Sequence, residues 1–180
     1  MGTVVLAGAT SGSTTITPTD AVTATITLPS ITGTLSIDGP AFSVANGGNQ
    51  SLTSNTWTKV VLNTKIFDTA NAFDAVTNNR FQPTVAGYYI ITGSPGNYST
   101  STALTAAGAA IYKNGVTIHT VYQFSGGSVT AFNVTVSAVV YLNGSTDYVE
   151  LWASVTASAG AILAGSLSST YMTGVLVRKG

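Results

Sequence analysis

Three observations predict an all-β protein. Apolar and hydroxylic residues alternate with period two in several stretches, clusters of Gly, Asn and Ser separate those stretches, and no stretch shows helical periodicity. The most informative segment is Arg80 to Gly93, Arg-Phe-Gln-Pro-Thr-Val-Ala-Gly-Tyr-Tyr-Ile-Ile-Thr-Gly. Pro83 and Gly87 punctuate it, and Tyr88 to Thr92 read as a buried strand. The 180 residues suffice for one domain with a sizeable core and a short appendage.

Composition narrows the classes of function. Charged residues make up 7% of the chain, against roughly 25% in an ordinary soluble domain. The net charge is +0, so bulk charge draws the chain neither to nucleic acid nor to an acidic membrane. A neutral surface this poor in charge dissolves badly alone, which predicts cover by sister subunits; the competing expectation is a monomer solvated by Thr, Ser and Asn side chains. There is no Cys, so disulfides and thiolate chemistry are excluded. No basic segment followed by an apolar run opens the chain, so no signal peptide is expected. No apolar run approaches the roughly 20 residues of a membrane helix. Asn-x-Ser/Thr triplets begin at Asn49, Asn97, Asn133 and Asn143, as chance supplies in a chain rich in Ser and Thr.

Residues 1–36 read as a separate β-arm. Val4-Val5-Leu6 is a strand candidate and Gly8 to Ser13 a turn. Val22, Ala24, Ile26 and Leu28 then alternate with threonines until Pro29 and Gly33. The arm is too small to bury a core of its own and must pack on something. Gly8-Ala9-Thr10-Ser11-Gly12, Thr27-Leu28-Pro29 and Thr32-Gly33-Thr34-Leu35 resemble stretches that recur in tailed-phage fibre and virion proteins. This resemblance implies an anchor or oligomer contact on a virion, made in the host cytoplasm.

After a linker at Ser36 to Gly39, the head begins near Pro40. Asn46 to Asn55 reads as a loop, and Trp57 to Asn63 alternates again, with Val60 and Leu62 on one side. Leu62, Asp68, Phe73, Phe81, Gly87, Tyr89 and Ile91 then follow at set intervals. Ala110 to Gly115 ends in Asn-Gly, the favoured pair for a tight hairpin. Val134, Val136, Ala138 and Val140 alternate with Thr135, Ser137, Val139 and Tyr141. Val149, Leu151 and Ala153 alternate with Glu150 and Trp152 after a turn at Gly144 to Asp147. Ser169, Tyr171, Gly174 and Leu176 lie in Ser168 to Val177, a stretch that resembles the closing strand of the family named below. Around ten short strands of this kind fit a two-sheet antiparallel jelly roll.

The spacing from Leu62 to Ile91, with Lys113-Asn114-Gly115 and Gly174, resembles the complement C1q-type globular domain of the tumour necrosis factor-like superfamily. The resemblance covers residues 40 to 178. Leu62 and Ile91 stand where that family has Phe, and the loop from Phe73 to Phe81 is one residue longer. The resemblance implies a tight homotrimer with termini near one end and loops at the other. Some members bind calcium near the trimer apex, but no ligand maps onto a residue here, so no cofactor is expected.

Candidate chemistry is sparse. His119 is the only histidine, and no Gly-x-Ser-x-Gly elbow supplies a nucleophile for it. Asp20, Asp38, Asp68, Asp74, Asp147 and Glu150 form no Asp-x-Asp calcium loop. Asp147 and Glu150, three apart on an extended chain, face opposite ways. Gly47-Gly48, Gly93 to Gly96 and Gly126-Gly127 read as loops without a phosphate-cradling Lys. Trp57, Tyr98, Tyr122, Phe124, Tyr148, Trp152 and Tyr171 either fill core and contacts or present a binding face. Tyr98, in an Asn-Tyr-Ser loop, is the surface candidate for a ligand.

The expectation is a non-enzymatic, trimeric bacteriophage virion protein. Its place would be the particle surface, as capsid decoration, head fibre or tail-fibre tip, with host glycan or protein as ligand. Competing expectations are a soluble C1q- or lectin-like binding module and, last, a polysaccharide depolymerase. Neither nucleic-acid binding nor membrane insertion is expected.

Overall fold

The computed structural model describes residues 4–7, 13–16, 39–99, 101, 103–158, 160–165 and 167–180. The chain divides into two units, Met1–Leu35 and Ser36–Gly180. In the first unit, β1 (Val4–Ala7) and β2 (Ser13–Ile16) pair antiparallel, with Val4 opposite Ile16 and Ala7 opposite Ser13. Of the expected turn at Gly8 to Ser13, Ser13 opens β2; its other residues, the strand at Val22 to Leu28, the motifs ending at Leu35 and the linker up to Asp38 lie outside the described residues.

The second unit carries β3 (Ala41–Ala45), β4 (Gln50–Leu52), β5 (Thr58–Lys59), β6 (Thr64–Asp68), β7 (Phe73–Asp74), β8 (Arg80–Phe81), β9 (Gly87–Ser94) and β10 (Gly96–Ser99). It continues with β11 (Leu104–Lys113), β12 (Val116–Val129), β13 (Ala131–Asn133), β14 (Val136–Leu142), β15 (Val149–Ala157), β16 (Ala161–Leu163) and β17 (Tyr171–Lys179). No helix occurs among the described residues. A five-stranded sheet runs β14-β9-β17-β3-β6. A six-stranded sheet runs β12-β11-β15-β8-β7, with β5 also on β15. A four-stranded sheet, β13-β10-β16-β4, extends the strand ladders at one end, so the sandwich carries more strands than its sequence spacing suggests.

Period-two alternation places the core. On β14, Val136, Ala138, Val140 and Leu142 are buried, while Ser137, Val139 and Tyr141 are exposed. On β9, Tyr89 and Ile91 point inward and Tyr88 and Ile90 outward. From the other sheet, Leu104, Ala107, Ala109 and Ile111 of β11 meet Val149, Leu151, Ala153 and Val155 of β15 in the same core. An aromatic knot closes it at the β3–β8 end. Phe42 stacks on Phe81 at 4.3 Å between centroids, and Tyr89 meets Phe81 edge-on at 5.4 Å. Such pairs add about 0.5–1.5 kcal/mol beyond the area they bury.

Two glycine-rich segments depart from the sequence expectation. Gly93 to Gly96 is a junction of β9 and β10, broken only at Pro95, and Tyr98 therefore sits on a strand rather than in a loop. The reason is packing: a Cβ on Gly93 would stand 2.5 Å from Leu151 Cδ1, and one on Gly96 2.7 Å from Ser169 Cβ. Gly126-Gly127 lies within β12, which runs on to Val129. The segment 46–55 likewise contains a short strand, β4, held against β16 with Leu52 opposite Ala161. The hairpin at Asn114-Gly115 has φ of 53° and 79°, the left-handed pair that a tight turn needs.

Candidate functional site

The signature residues build the head. Leu62, Phe73, Phe81, Tyr89 and Ile91 are all in the core. Gly174 lies under Phe42 and Ile91, where a Cβ would stand 2.7 Å from Ile91 Cδ1. A Cβ on Gly87 would strike the Arg178 carbonyl, so Gly87 permits close approach of β9 and β17. Tyr89 donates its hydroxyl hydrogen to the Val85 carbonyl at 2.7 Å, and burial pushes its pKa up to about 12. Asp68 accepts from the N–H groups of Ala72 and Phe73 and pairs with Lys65 at 3.0 Å. Burial works to raise its pKa. The Phe73 N–H, the Lys65 ammonium and the Ala72 N–H together outweigh it and leave the net lowered.

The remaining described carboxylates are equally occupied. Asp74 accepts from the N–H groups of Thr77 and Val76 and from the Asn78 amide, which lower its pKa to about 2. Asp147 is held at 2.8 Å by Lys113 and at 2.7 Å by the Asn114 amide, and both lower its pKa. Glu150 faces outward from the six-stranded sheet. It is nevertheless buried, because the Lys59 ammonium and the Trp152 indole N–H cover its two oxygens at 3.1 and 3.0 Å. Asp147 and Glu150 therefore take separate partners and form no acid–base pair. No group of three His, Cys, Asp or Glu converges among the described residues. These carboxylates brace turns and strands.

Three of the aromatic residues that stand out in the sequence, Trp57, Tyr122 and Phe124, form one run of ring contacts. On the outward face of the six-stranded sheet, Trp57 and Tyr122 meet edge-on at 5.4 Å over Gly108, and Tyr112 stacks on Trp152 at 4.5 Å. Arg80 lies 4.2 Å above the Tyr148 ring. Gly108 of β11 makes room for the Trp57 and Tyr122 rings. Tyr98 is exposed on β10 of the four-stranded sheet, between Ala131 and Ile162. Tyr171 starts β17.

The outward face of the five-stranded sheet is poor in charge. Between Phe81 and Thr146 the only Asp, Glu, Lys or Arg is Lys113. Pairing in the five-stranded sheet brings this stretch together into rows on its outward face. Ser137, Thr92 and Thr173 make a hydroxyl row, Val139, Ile90 and Val175 an apolar row, and Tyr141, Tyr88 and Arg178 a third. Val139 is 66% exposed. Beside this sheet lies β12, the free edge of the six-stranded sheet. It is exposed along its length except at Ser125 and Val129, which are half-buried. Its ladder to β11 sets Thr120, Tyr122 and Phe124 on the outward side. His119, Val121 and Gln123 share the side of the buried Ile111, Ala109 and Ala107. That side is nevertheless open, because the facing sheet ends at β14. Alternation in Val116 to Phe124 shows a strand and gives no sign that both its faces are bare.

The fold defined by these sheets is a tumour necrosis factor-like jelly roll. Murine APRIL, in a crystal structure at pH 5.0, is similar with a TM-score of 0.60 and 12% identity, over 78% of this chain and 100% of that chain. Eiger TNF from S. frugiperda is similar with a TM-score of 0.58 and 9% identity, over 79% of this chain and 94% of that one. No family model and no curated protein matches the chain.

Proposed function

We propose that the chain is a non-enzymatic, homotrimeric binding and display module. Residues 40–180 form its head and residues 1–36 attach it to a larger assembly. One observation carries this reading: the bare, uncharged edge strand β12 stands beside an outward sheet face of Val139, Ile90 and Val175. An edge without charge, proline or cover invites another chain. The apolar sheet face of a second copy is a surface of matching character. When each copy's edge meets the next copy's face, the contact is heterologous, and a rotation of one third of a turn per copy closes it into a ring of three. The tumour necrosis factor-like fold and the resemblance of residues 40–178 to C1q-type domains support three copies.

The destination we propose is the surface of a bacteriophage particle, as capsid decoration, head fibre or tail-fibre tip. The Gly8 to Gly12, Thr27 to Pro29 and Thr32 to Leu35 motifs support it. The head would then be displayed towards host-surface glycan or protein, with exposed Tyr98 as the first residue to test.

Native mass measurement of the full chain tests the assembly. A trimer at micromolar concentration is expected, and a monomer there overturns the reading. Deleting residues 1–36 tests the anchor, since a shortened chain that still joins the particle removes that role. A glycan array or host-cell pull-down with the trimer, comparing wild type with Tyr98→Ala, tests the ligand.

A further inference from the structure

We infer that the outward side of β11 and β12 is a platform for an uncharged saccharide, with Trp57, Tyr122 and Phe124 as its rings; this rests on the binding role proposed above and places the ligand on a different sheet from Tyr98. Tyr122 and Phe124 stand two residues apart on β12, with centroids at 6.4 Å and ring planes 20° apart. Trp57 comes just before β5, on the far side of β11, and meets Tyr122 edge-on at 5.4 Å. The two rings meet over Gly108, where a Cβ would stand 2.8 Å from Tyr122 Cε1 and 3.0 Å from Trp57 Cη2. Any side chain there would push them apart, so the floor is shaped to the rings. The outer part of the run is open. Tyr122 is 50% exposed and Phe124 77%, so Phe124 does little to cover the head itself.

The groups around the rings select the ligand. The rows that cross the platform are Phe124-Ala106-Thr156 and Tyr122-Gly108-Ser154, with Thr120 opposite Ala110 beside them. They carry hydroxyls and no charge. Thr156 donates to Asn55 Oδ1 at 2.8 Å, a bond that uses the amide oxygen and not the amide N–H groups. A saccharide ring has an apolar face of C–H groups and a rim of hydroxyls. The electron-rich ring faces suit the first, and Thr120, Thr156 and Asn55 suit the second. Past Phe124 come Gly126 and Gly127, where a Cβ would meet nothing within 4 Å. The strand therefore raises no wall against a longer chain of sugars.

Other occupants fit worse. Single-stranded nucleic acid also stacks on aromatic rings, but its phosphates need cations alongside. β12 holds neither Lys nor Arg, and the cations elsewhere on this face are engaged, Lys59 with Glu150 and Arg80 over Tyr148. An acidic saccharide needs the same cations. A stable protein partner needs roughly 800 Å² and about 20 residues on this side, far more than a run of rings and its rim.

A glycan array probed with the full chain tests this. Neutral oligosaccharides of glucose, galactose, mannose and N-acetylglucosamine are set beside sialylated and uronate-bearing ones, with host cells as a separate probe. A neutral glycan should bind, and its affinity is then measured by titration calorimetry. Phe124→Ala and Tyr122→Ala should each weaken it about five- to tenfold, Tyr122→Phe should stay within about twofold, and Tyr98→Ala should leave it unchanged. Native mass and circular dichroism of the variants should match the wild type. Neutral-glycan binding that survives both alanine variants, or that only Tyr98→Ala removes, overturns the platform and keeps the binding role. So does a chain that binds only acidic glycans or only a host protein. If the alanine variants lose their assembly along with the glycan, the rings belong to the joint between copies and the platform falls. A chain that binds neither glycan nor host cell overturns the platform and the binding role together.

Discussion

The two flanks of the sandwich are built from the same kind of strand and end differently. One flank, at β6, β7 and β8, carries Lys65, Asp68, Asp74 and Arg80. The other, at β12 and β14, carries no Asp, Glu, Lys or Arg on either strand. On the first flank the charges are fixed: Asp68 and Asp74 gather the N–H groups of the turns that follow them, and the edge strands are short. Charge and short length are how a sheet edge is kept from pairing. The second flank has neither, and β12 is 14 residues long. Under the assembly proposed above, the bare side is the one that meets the next copy.

Placing one charge on each flank breaks this comparison most forcefully. Val139→Asp sets a carboxylate in the apolar row, and association at micromolar concentration should be lost while the head stays folded. Val76→Asp adds the same charge on the guarded flank, at a residue 92% exposed, and should leave the native mass unchanged. Native mass spectrometry reads both. If Val139→Asp remains trimeric, or if Val76→Asp dissociates the assembly, the contrast between flanks does not govern assembly.

The next effect is in the core that both flanks share. Phe81→Ala removes a ring stacked on Phe42 and touching Tyr89, and should cost about 3–5 kcal/mol in urea unfolding. A loss below about 1 kcal/mol would mean that the aromatic knot does not hold β8 to the five-stranded sheet.

These effects also mark what the sequence made legible. The core was readable because burial imposes period two: Val136, Ala138 and Val140 alternate with exposed residues, and Tyr89 and Ile91 face inward as their spacing implies. Glycine was misleading where it does not turn the chain: Gly93 makes room for Leu151, and Gly126-Gly127 continue β12 with open space around them. The candidate surface was half legible. The lack of charge from Phe81 to Thr146 stands in the sequence, but only the ladder pairs Val139 with Ile90 and Ile90 with Val175. Likewise, alternation in β12 is the same whether a facing sheet covers it or stops one strand short.

Alkaline pH should sharpen the view of the shared core. Tyr89 has its pKa raised from 10.0 to about 12 in the folded head. The folded state therefore holds the proton more tightly. The stabilisation, roughly 2–3 kcal/mol, is fully present below pH 10 and is lost as pH rises through about 12. Urea midpoints between pH 9 and 12 should fall for the wild type and fall less for Tyr89→Phe. Equal slopes would remove Tyr89 from the cause.

The smallest effects separate what holds the guarded flank from what merely decorates it. Asp68→Ala deprives the N–H groups of Ala72 and Phe73 of their acceptor and should cost about 1–3 kcal/mol. Lys65→Ala removes the ion pair at 3.0 Å and the ammonium's bond to Asn71 Oδ1 at 2.8 Å, on a lysine side chain 33% exposed, and should cost no more than about 1 kcal/mol. Urea unfolding of both variants at low and high salt decides the matter. Salt should shrink the Lys65 effect and leave most of the Asp68 effect, because the ion pair is screened and the backbone bonds are not. If the two losses are equal and vanish together in salt, the flank is held by charge pairing. The turn after β6 would then depend on the lysine rather than on the carboxylate's grip on the backbone.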